Sequence, residues 1–400
     1  MTRAALLFAA LSGLTTAILW PYRVLSHETL TTTVLFDREI VRILDNHCVM
    51  CHAADGPSFP LETYEQTWLR RRDVRDEVIA RHMPPWAAVP GYGHFVNDNS
   101  LTLRESQFVV SWVEGLGPRN AGSVFTNTVD GGAPPPEVRA RMLHAGHWHL
   151  GEPDVIRPLS PATIEAKQAS YVRRTVVDLE LAAERRVRAV EYMPGDRRVV
   201  RAAFFTVEDT GQWIGSWTPW YGYMEVPDEA AYTLPAGSRI VAEIHYRGAS
   251  EPVTDEGKLG LFFADGAPAR SVSDVVLRGV PTPATGGRSA SAAPRLRRDS
   301  LQRLRAETRV AADTYAFALR PEMSGEITSI EVSARTPAGG TEILLFARDF
   351  DEEWPTPYIF TSPVLLERGT ALSVTAYADA ATPEPAVRVT VSGYPRLARD

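Results

Sequence analysis

The chain has 400 residues, of which 44% are hydrophobic and 23% charged, so it carries enough apolar material for about two to four globular domains. Its formal net charge of −7 excludes a protein that binds nucleic acid through a strongly basic surface. The two cysteines, Cys48 and Cys51, lie in one short motif, which excludes a secreted fold held together by disulfides.

The N-terminal segment, residues 1–30, predicts a transmembrane helix. Residues 4–20 form a mostly apolar run without a charged residue, and a helix of that length rises about 26 Å, close to the thickness of a bilayer core. Trp20 and Tyr22 behind it suit a membrane interface. A removed signal peptide stays the alternative, although no small-residue cleavage site follows the run.

The strongest chemical motif follows a predicted helix over residues 36–46. It is C-x-x-C-H, at Cys48, Cys51 and His52. Two thiols one helical turn apart can each form a thioether with one haem, while the adjacent imidazole ligates the iron, which is the pattern of c-type haem attachment. We therefore predict one covalent haem c, bound by both cysteines, with His52 as the proximal ligand of the iron.

A second ligand of the iron is predicted further along the chain. Met83 begins the sequence Met-Pro-Pro-Trp, and a thioether ligand raises the potential of a haem. His82 and His94 are the rival candidates. Another helix, predicted over residues 101–113, would complete a small all-α cytochrome c-like domain at residues 31–117.

Two other uses of the cysteines stay open. His47, Cys48, Cys51 and His52 could ligate zinc, although four ligands crowded into six residues suit a tetrahedral site poorly. The cysteines could instead form a redox dithiol, although no thioredoxin-like pattern surrounds them.

The rest of the chain divides at two segments rich in small, polar and proline residues. These predicted linkers, residues 118–136 and 281–300, delimit two blocks, residues 137–280 and 301–400. Both blocks contain short runs rich in β-branched and aromatic residues, which predict two all-β sandwich domains. The clearest predicted strands are residues 174–181, 186–192, 198–207, 239–246 and 258–263 in the first block, and 326–333, 342–347, 357–360 and 386–391 in the second.

Several short motifs, taken in chain order, carry a resemblance to a known family. After C-x-x-C-H they are Met-Pro-Pro-Trp at 83–86, Pro-Gly-Asp-Arg-Arg-Val-Val at 194–200, Ile-His-Tyr at 244–246, Arg-Pro-Glu-Met at 320–323, and Leu-Leu at 344–345 before Trp354 and Tyr358. This order resembles a bacterial family that fuses cytochrome c to two sandwiches like those of copper type II, ascorbate-dependent monooxygenases such as peptidylglycine hydroxylating monooxygenase. The resemblance covers most of residues 37–394. It implies one copper in each sandwich of the active relatives.

The copper ligands that the resemblance implies are mostly missing. Where the family has a His-His pair the chain has Arg201 and Ala202, so only His245 of that site is retained. The family sequence Pro-His-Met-His is replaced by Pro-Glu-Met-Ser, at Glu322 and Ser324. Copper sites of this class need imidazole-rich or imidazole–thioether ligand sets. We therefore expect no copper and no monooxygenase activity, with His245 as a packed or hydrogen-bonded remnant.

A second group of histidines follows the first linker. His144, His147 and His149 lie within six residues, and on an extended segment the last two would share one face. A surface or interface loop packed through Trp148 is the simpler interpretation. An extra copper or zinc site formed by the three imidazoles is the alternative.

Taken together, these features predict a multidomain protein with a transmembrane helix, an all-α cytochrome c domain and two all-β sandwiches. It would be a monohaem c-type cytochrome, anchored in the bacterial inner membrane by one pass with its bulk in the periplasm. We expect electron transfer or an accessory role, with protein subunits of a membrane redox complex as partners. An aromatic-rich loop is interpreted as core, or alternatively as a docking patch for a partner. It contains Trp213, Trp217, Trp220, Tyr221 and Tyr223. Two other functions stay open: a structural scaffold of a respiratory or photosynthetic complex, and a copper monooxygenase with non-standard ligands.

Overall fold

Most of the described chain is β-structure. The computed structural model describes residues 31–121, 147–227, 230–266, 270–281 and 301–397. Two β-sandwiches make up the greater part of these residues, and a small N-terminal segment with short helices packs against them.

The described part of the N-terminal segment contains three short α-helices, the first of which continues from a π-helical turn. The turn is Phe36–Ile40, and the helices are α1 (Val41–His47), α2 (Tyr64–Ala80) and α3 (Leu103–Glu114). Helices α2 and α3 each begin at a capping box, formed by Thr63 with Gln66 and by Thr102 with Glu105. A capping box satisfies N–H groups that the start of a helix leaves unpaired. The helices share a small apolar core around Trp112.

The predicted fold class is wrong in its helical part. The segment between α2 and α3 leaves the helical core and packs on the second sandwich, where Ala88 forms a β-bridge with Ala347 and Phe95 with Phe360. We call residues 84–99 the strap. Because the strap completes the core of a β-domain, the described residues form short helices and a β-bound strap. They give no support to a self-contained all-α cytochrome domain.

Among the described helices, none is long and apolar enough to span a lipid bilayer. The longest, α2, has 17 residues and carries charged side chains along much of its length. The predicted single pass through the bacterial inner membrane, and the transmembrane helix of the predicted fold class, are therefore not supported by the described residues. The apolar run on which that prediction depended, residues 4–20, lies outside the described residues.

The first sandwich is built from twelve strands of the described chain. One sheet has the order β1-β11-β4-β8-β12 with β7 also paired to β4, the facing sheet has the order β3-β9-β5-β6, and β2 pairs with β10. Trp213 and Trp217 lie in the core between the sheets, as the core interpretation of the aromatic loop requires. The bounds are β1 (Val155–Pro158), β2 (Ala162–Ile164), β3 (Tyr171–Asp178), β4 (Arg185–Met193), β5 (Val200–Val207), β6 (Trp213–Trp217), β7 (Tyr223–Glu225), β8 (Ala230–Leu234), β9 (Arg239–Tyr246), β10 (Val253–Asp255), β11 (Lys258–Phe263) and β12 (Arg270–Ser271).

The second sandwich contains the remaining strands in one continuous path. The order is β17-β16-β19-β14-β13-β20-β15-β18, and its two halves join where β13 pairs with β14. Strand β13 lies before the predicted linker at 281–300, yet it pairs along its length with β20. The bounds are β13 (Ser273–Pro281), β14 (Leu301–Arg309), β15 (Thr314–Ser324), β16 (Ile327–Arg335), β17 (Thr341–Arg348), β18 (Tyr358–Leu366), β19 (Ala371–Asp379) and β20 (Ala386–Pro395).

The two sandwiches share apolar contacts. The core of the first sandwich also includes Phe317, Ile359 and Tyr394 of the second. Strand β9 faces this junction with alternating side chains, since Ile244 points into the first core while Glu243 and His245 lie on the opposite face. That alternation places charged groups of β9 beside the second sandwich.

Candidate functional site

The C-x-x-C-H sequence forms a tight loop at the end of α1. The backbone N–H groups of Cys51 and His52 both donate to the Cys48 carbonyl, at 3.0 and 2.9 Å. Gly56 closes the loop so tightly that a Cβ there would lie 2.3 Å from the Cys51 carbonyl oxygen. Both cysteines are free thiols and are half-buried. The loop therefore brings Cys48, Cys51 and His52 together, as the motif predicts locally.

The imidazole of His52 is held in one orientation. Its Nδ1–H donates to the Phe59 carbonyl at 2.8 Å, and its ring meets the Phe59 ring edge-on, with centroids 4.7 Å apart. Burial lowers the pKa of His52, against the smaller opposing effect of that hydrogen bond. With the proton on Nδ1, the neutral ring presents the lone pair of Nε2. This is the form in which histidine ligates a metal.

The two thiols are poor nucleophiles in this loop. Burial raises the pKa of Cys48 and of Cys51 to about 12 in each case. For Cys51, the charges of Arg197 and Arg201 oppose that rise. Both side chains are therefore protonated at neutral pH. Since a redox dithiol works through a thiolate of low pKa, the raised pKa values weigh against that alternative.

His47, the first ligand of the zinc alternative, contacts other groups. The His47 ring lies 3.2 Å from the Asn99 carbonyl through Nδ1 and 3.4 Å from the Glu105 carboxylate through Nε2. Within the described ranges, no group of three or more His, Cys, Asp or Glu side chains could hold a metal ion. A metal-binding site made from such protein ligands is therefore unsupported, and we do not propose one.

The three candidates for a second iron ligand lie in different surroundings. His82 is exposed and pairs with Glu77, with Nδ1 3.0 Å from the carboxylate. His94 is exposed on the strap, where its carbonyl accepts from the Thr361 N–H at 2.9 Å. Met83 follows the end of α2 and is half-buried. Of the three it is the least exposed, and its role as a ligand stays a prediction.

The first sandwich contacts the C-x-x-C-H loop through the side chain of Arg197. Arg197 donates from Nη2 to the Met50 carbonyl at 2.8 Å, and its Nη1 lies 3.6 Å from the Asp55 carboxylate. Arg201, four residues further along the chain, contacts the second sandwich instead: its Nε lies 2.8 Å from the Glu353 carboxylate. Sequence reasoning missed Arg197, because 147 residues separate it from Met50. The one sequence feature that marks Arg197 is its position in the Pro-Gly-Asp-Arg-Arg motif.

At the first copper position that the resemblance implies, the described residues form ion pairs. Ala202 of β5 and His245 of β9 are cross-strand partners, so these two positions do lie side by side. His245 Nε2 is 3.1 Å from Glu243, whose carboxylate also lies 3.0 Å from Arg320 and 2.8 Å from Arg174. The imidazole is thus part of a charged network, as expected for a hydrogen-bonded side chain.

The second implied copper position also carries charge pairs. Glu322 lies 3.6 Å from Arg320 and 3.3 Å from Arg388. Ser324 ends β15 and is exposed. Carboxylate–guanidinium pairs of this kind replace the imidazole-rich set that such a copper would need.

The histidine group after the first linker is only partly described, because His144 lies outside the described residues. The Glu191 carboxylate is buried and accepts from both His149 Nδ1, at 2.7 Å, and the His149 backbone N–H, at 2.8 Å. His147 and His149 line a cavity of about 580 Å³ that also borders Asp55 and Arg197. In the described part, the structure brings His149 to the Glu191 carboxylate.

Comparison of the chain with family models and with curated proteins finds no match. Among solved structures, it is similar to the major capsid protein P2 from Bacteriophage PM2, with 9% identity, a TM-score of 0.26, and 60% of this chain and 99% of that chain covered. It is also similar to PNGase F, a glycosylasparaginase from Flavobacterium meningosepticum, with 11% identity, a TM-score of 0.22, and coverage of 60% and 97%. For allantoicase the identity is 10% and the TM-score is 0.18, with 54% of this chain and 76% of that chain covered. TM-scores this low carry no argument about the fold or the function of this chain.

Proposed function

We propose that the chain attaches one haem covalently at Cys48 and Cys51, with His52 as an iron ligand, and that it transfers electrons. The observation that carries the proposal is the hydrogen bond from His52 Nδ1 to the Phe59 carbonyl. This bond fixes the tautomer and the orientation in which Nε2 can ligate iron. The overall fold adds no support, so the proposal depends on the loop itself.

The chemistry of the loop fits the proposed group. Two protonated thiols flank a tight turn, and the neutral imidazole follows directly after the second. No further protein ligand is required, because a porphyrin supplies four ligands of its iron and a single histidine can complete the proximal side. The same loop has no place for a four-ligand zinc site, since His47 is engaged by Asn99 and Glu105.

Each residue would have a separate task. A bound haem supplies one-electron oxidation and reduction. Cys48 and Cys51 fix its position through covalent bonds, and the Phe59 carbonyl holds the His52 ring in place. Met83 is the proposed second ligand. Partners are proposed to be protein subunits of a redox complex, with the two sandwiches in an accessory role rather than as an enzyme.

The proposal is tested by a pyridine haemochrome spectrum of protein produced in a host that matures c-type haem. We expect a c-type band equal to one haem per chain, reversible oxidation and reduction, and loss of the band in a Cys48→Ala/Cys51→Ala variant. Ser58→Ala is the matched control, because its exposed side chain lies in the same loop while its backbone hydrogen bond to Cys51 is kept. A wild-type protein without the band would contradict the proposal and favour the scaffold alternative.

A further inference from the structure

A glycine-containing turn of the strap borders a cavity of about 260 Å³ on the second sandwich. The turn is Pro-Gly-Tyr-Gly at residues 90–93, and both of its glycines have a positive φ, of 92° and 75°. Glycine adopts such angles without the steric cost of a Cβ. At Gly93 a Cβ would also lie only 2.4 Å from the Leu344 carbonyl oxygen. The turn therefore requires its glycines, and we call the space beside it the strap cavity.

Three aromatic side chains of the strap line this cavity, namely Trp86, Tyr92 and Phe95. Rings of the second sandwich hold them in place. The ring centroids of Trp86 and Phe95 each lie 5.1 Å from that of Tyr358. Tyr92 meets the Phe346 ring edge-on, with centroids 5.6 Å apart. The aromatic wall is therefore anchored on the second sandwich, although Tyr92 itself is 38% exposed.

Backbone hydrogen bonds fix the strap on both sides of the turn. Before the turn, the Val89 N–H donates to the Phe346 carbonyl at 2.8 Å. After it, the Val96 N–H donates to the Ile359 carbonyl, also at 2.8 Å. A site whose walls are already in place loses little conformational freedom when a ligand binds. The cavity is smaller than the ~300–1,000 Å³ of pockets for drug-sized ligands, so its ligand must be small.

The charge of the lining favours a cation as the ligand. Among the described residues that line the cavity, Asp98 is the one Asp, Glu, Lys or Arg. The other titratable side chain of the lining, His94, adds no negative charge in either protonation state. Arg348 contacts the strap through its backbone, but its side chain lies 3.5 Å from Asp349 and does not line the cavity.

We propose that the strap cavity binds a small quaternary ammonium cation, such as the trimethylammonium group of choline. Aromatic rings attract such a cation through their negative faces, and cages of aromatic side chains recognise it. The Asp98 carboxylate supplies the opposite charge. A metal ion fits less well, because Mg²⁺ and Ca²⁺ take several oxygen ligands and the described lining has one carboxylate. This binding site does not depend on the proposed haem.

Isothermal titration calorimetry of the full-length protein with choline chloride tests the inference. We expect one choline per chain, with a dissociation constant on the order of 1 mM, because cation–π contacts at exposed sites are individually weak. The neutral comparison ligand is the carbon analogue of choline, in which a tert-butyl group replaces the trimethylammonium group. It should bind about fivefold more weakly, since it has the same shape but no charge.

Two substitutions separate the aromatic wall from the charge. Tyr92→Leu removes one ring, while the backbone hydrogen bonds of the strap remain, and it should weaken choline binding about two- to fivefold. Asp98→Asn removes the charge and keeps an oxygen that can accept from the Ser100 N–H, as the Asp98 carboxylate does at 2.7 Å. It should also weaken choline binding about two- to fivefold.

The matched controls carry the same substitutions outside the cavity. Tyr377→Leu removes a ring of β19 that is likewise 38% exposed, and Asp73→Asn removes an exposed carboxylate of α2. Both variants should bind choline like the wild type, because neither residue lines the strap cavity.

The trimethylammonium group occurs in soluble compounds and in the head group of phosphatidylcholine. Co-sedimentation with phosphatidylcholine vesicles distinguishes the two sources. Vesicle binding that Asp98→Asn weakens would assign the lipid head group, whereas binding of choline without binding of vesicles would assign a soluble cation.

Two results would overturn the inference. One is the absence of saturable binding at about tenfold the expected dissociation constant. The other is equal binding of choline and its carbon analogue, which would show an apolar pocket without charge recognition. Asp98→Asn carries the test even if Tyr92→Leu does not fold, because Asp98 is exposed. Neither result changes the expectation for haem, which the haemochrome spectrum of the same protein measures separately.

Discussion

At Glu243 a single carboxylate serves three partners from both sandwiches. Burial raises its pKa, but the hydrogen bond with His245 and the charges of Arg320 and Arg174 have the larger combined effect and lower the pKa from 4.5 to about 2. The carboxylate is therefore stabilised in its charged form in the folded protein. Since the folded-state pKa lies below the ordinary value, the stabilisation is complete above about pH 4.5 and is lost as the pH falls towards 2.

We expect Glu243→Gln to lower the free energy of unfolding at pH 7 by on the order of 3 kcal/mol, because it leaves buried Arg320 without its inter-sandwich partner. At pH 3 the difference from the wild type should be smaller, because this carboxyl is then protonated in the unfolded chain but still mostly charged in the folded protein, so part of the stabilisation is already lost. Urea unfolding at both pH values measures this.

The control for this comparison is Glu180→Gln, which removes an exposed ion pair with Arg157 in the same sandwich. It should change the stability by less than about 1 kcal/mol at either pH. An equal loss for Glu243→Gln at pH 7 and pH 3 would contradict the low pKa of Glu243.

Sequence reasoning works at the residue scale where the chemistry is local. The grouping of Cys48, Cys51 and His52 follows from their spacing in one turn, and the structure forms that turn. The orienting carbonyl of Phe59 and the contact from Arg197 could not be predicted. Both depend on how distant backbone segments fold back, and neither uses a side-chain pattern that the sequence displays.

At the scale of elements, the strands with regular alternation were predictable and α2 was not. Residues 239–246 and 258–263 agree with β9 and β11 residue for residue. Helix α2 was missed because only Tyr64, Thr67 and Val78 of its 17 residues are buried, so it has no apolar stripe for a periodicity search. Its one sequence signal is the capping box of Thr63 and Gln66.

The strap is the element that most changes the predicted architecture. Its Asn97 is 2% exposed and makes two backbone contacts with the second sandwich: Nδ2 donates to the Pro357 carbonyl at 2.7 Å, and Oδ1 accepts from the Ile359 N–H at 3.0 Å. A side chain that completes two buried hydrogen bonds fixes its segment strongly, because unpaired buried groups are costly.

We expect Asn97→Ala to lower the free energy of unfolding by about 2–3 kcal/mol, because it leaves the Pro357 carbonyl and the Ile359 N–H without their hydrogen-bond partner. The adjacent control, Val96→Ala, removes a half-exposed side chain and keeps the backbone bond to Ile359, so its effect should be below about 1 kcal/mol. Urea unfolding of both variants decides the matter. Similar losses for the two would show that the strap does not dock as described.

At the scale of the whole molecule, the two sandwiches pack against each other through a shared apolar core. Phe317, Ile359 and Tyr394 of the second sandwich belong to the core of the first. Two ion pairs also join the sandwiches at this junction. Glu243 of the first sandwich pairs with Arg320 of the second, and Arg201 of the first pairs with Glu353 of the second. Two β-blocks were predictable from composition and turn residues, but a shared core depends on long-range pairing that no local pattern reveals.

The shared core predicts a single cooperative unfolding transition for the two sandwiches in differential scanning calorimetry. Phe317→Ala should move that whole transition to lower temperature, because the side chain is fully buried where the two sandwiches meet, and its removal costs about 3–5 kcal/mol. Two transitions in the wild type, of which only one moves in the variant, would show that the sandwiches unfold independently.

The central claim, covalent haem attachment at the C-x-x-C-H loop, is tested most directly by the intact mass of the purified, denatured protein. Denaturation removes any haem that is not covalently bound. We predict one species whose mass is that of the chain plus one haem, and the mass of the bare chain for the Cys48→Ala/Cys51→Ala variant. A wild-type mass equal to that of the bare chain, after production in a host that matures c-type haem, would contradict the claim.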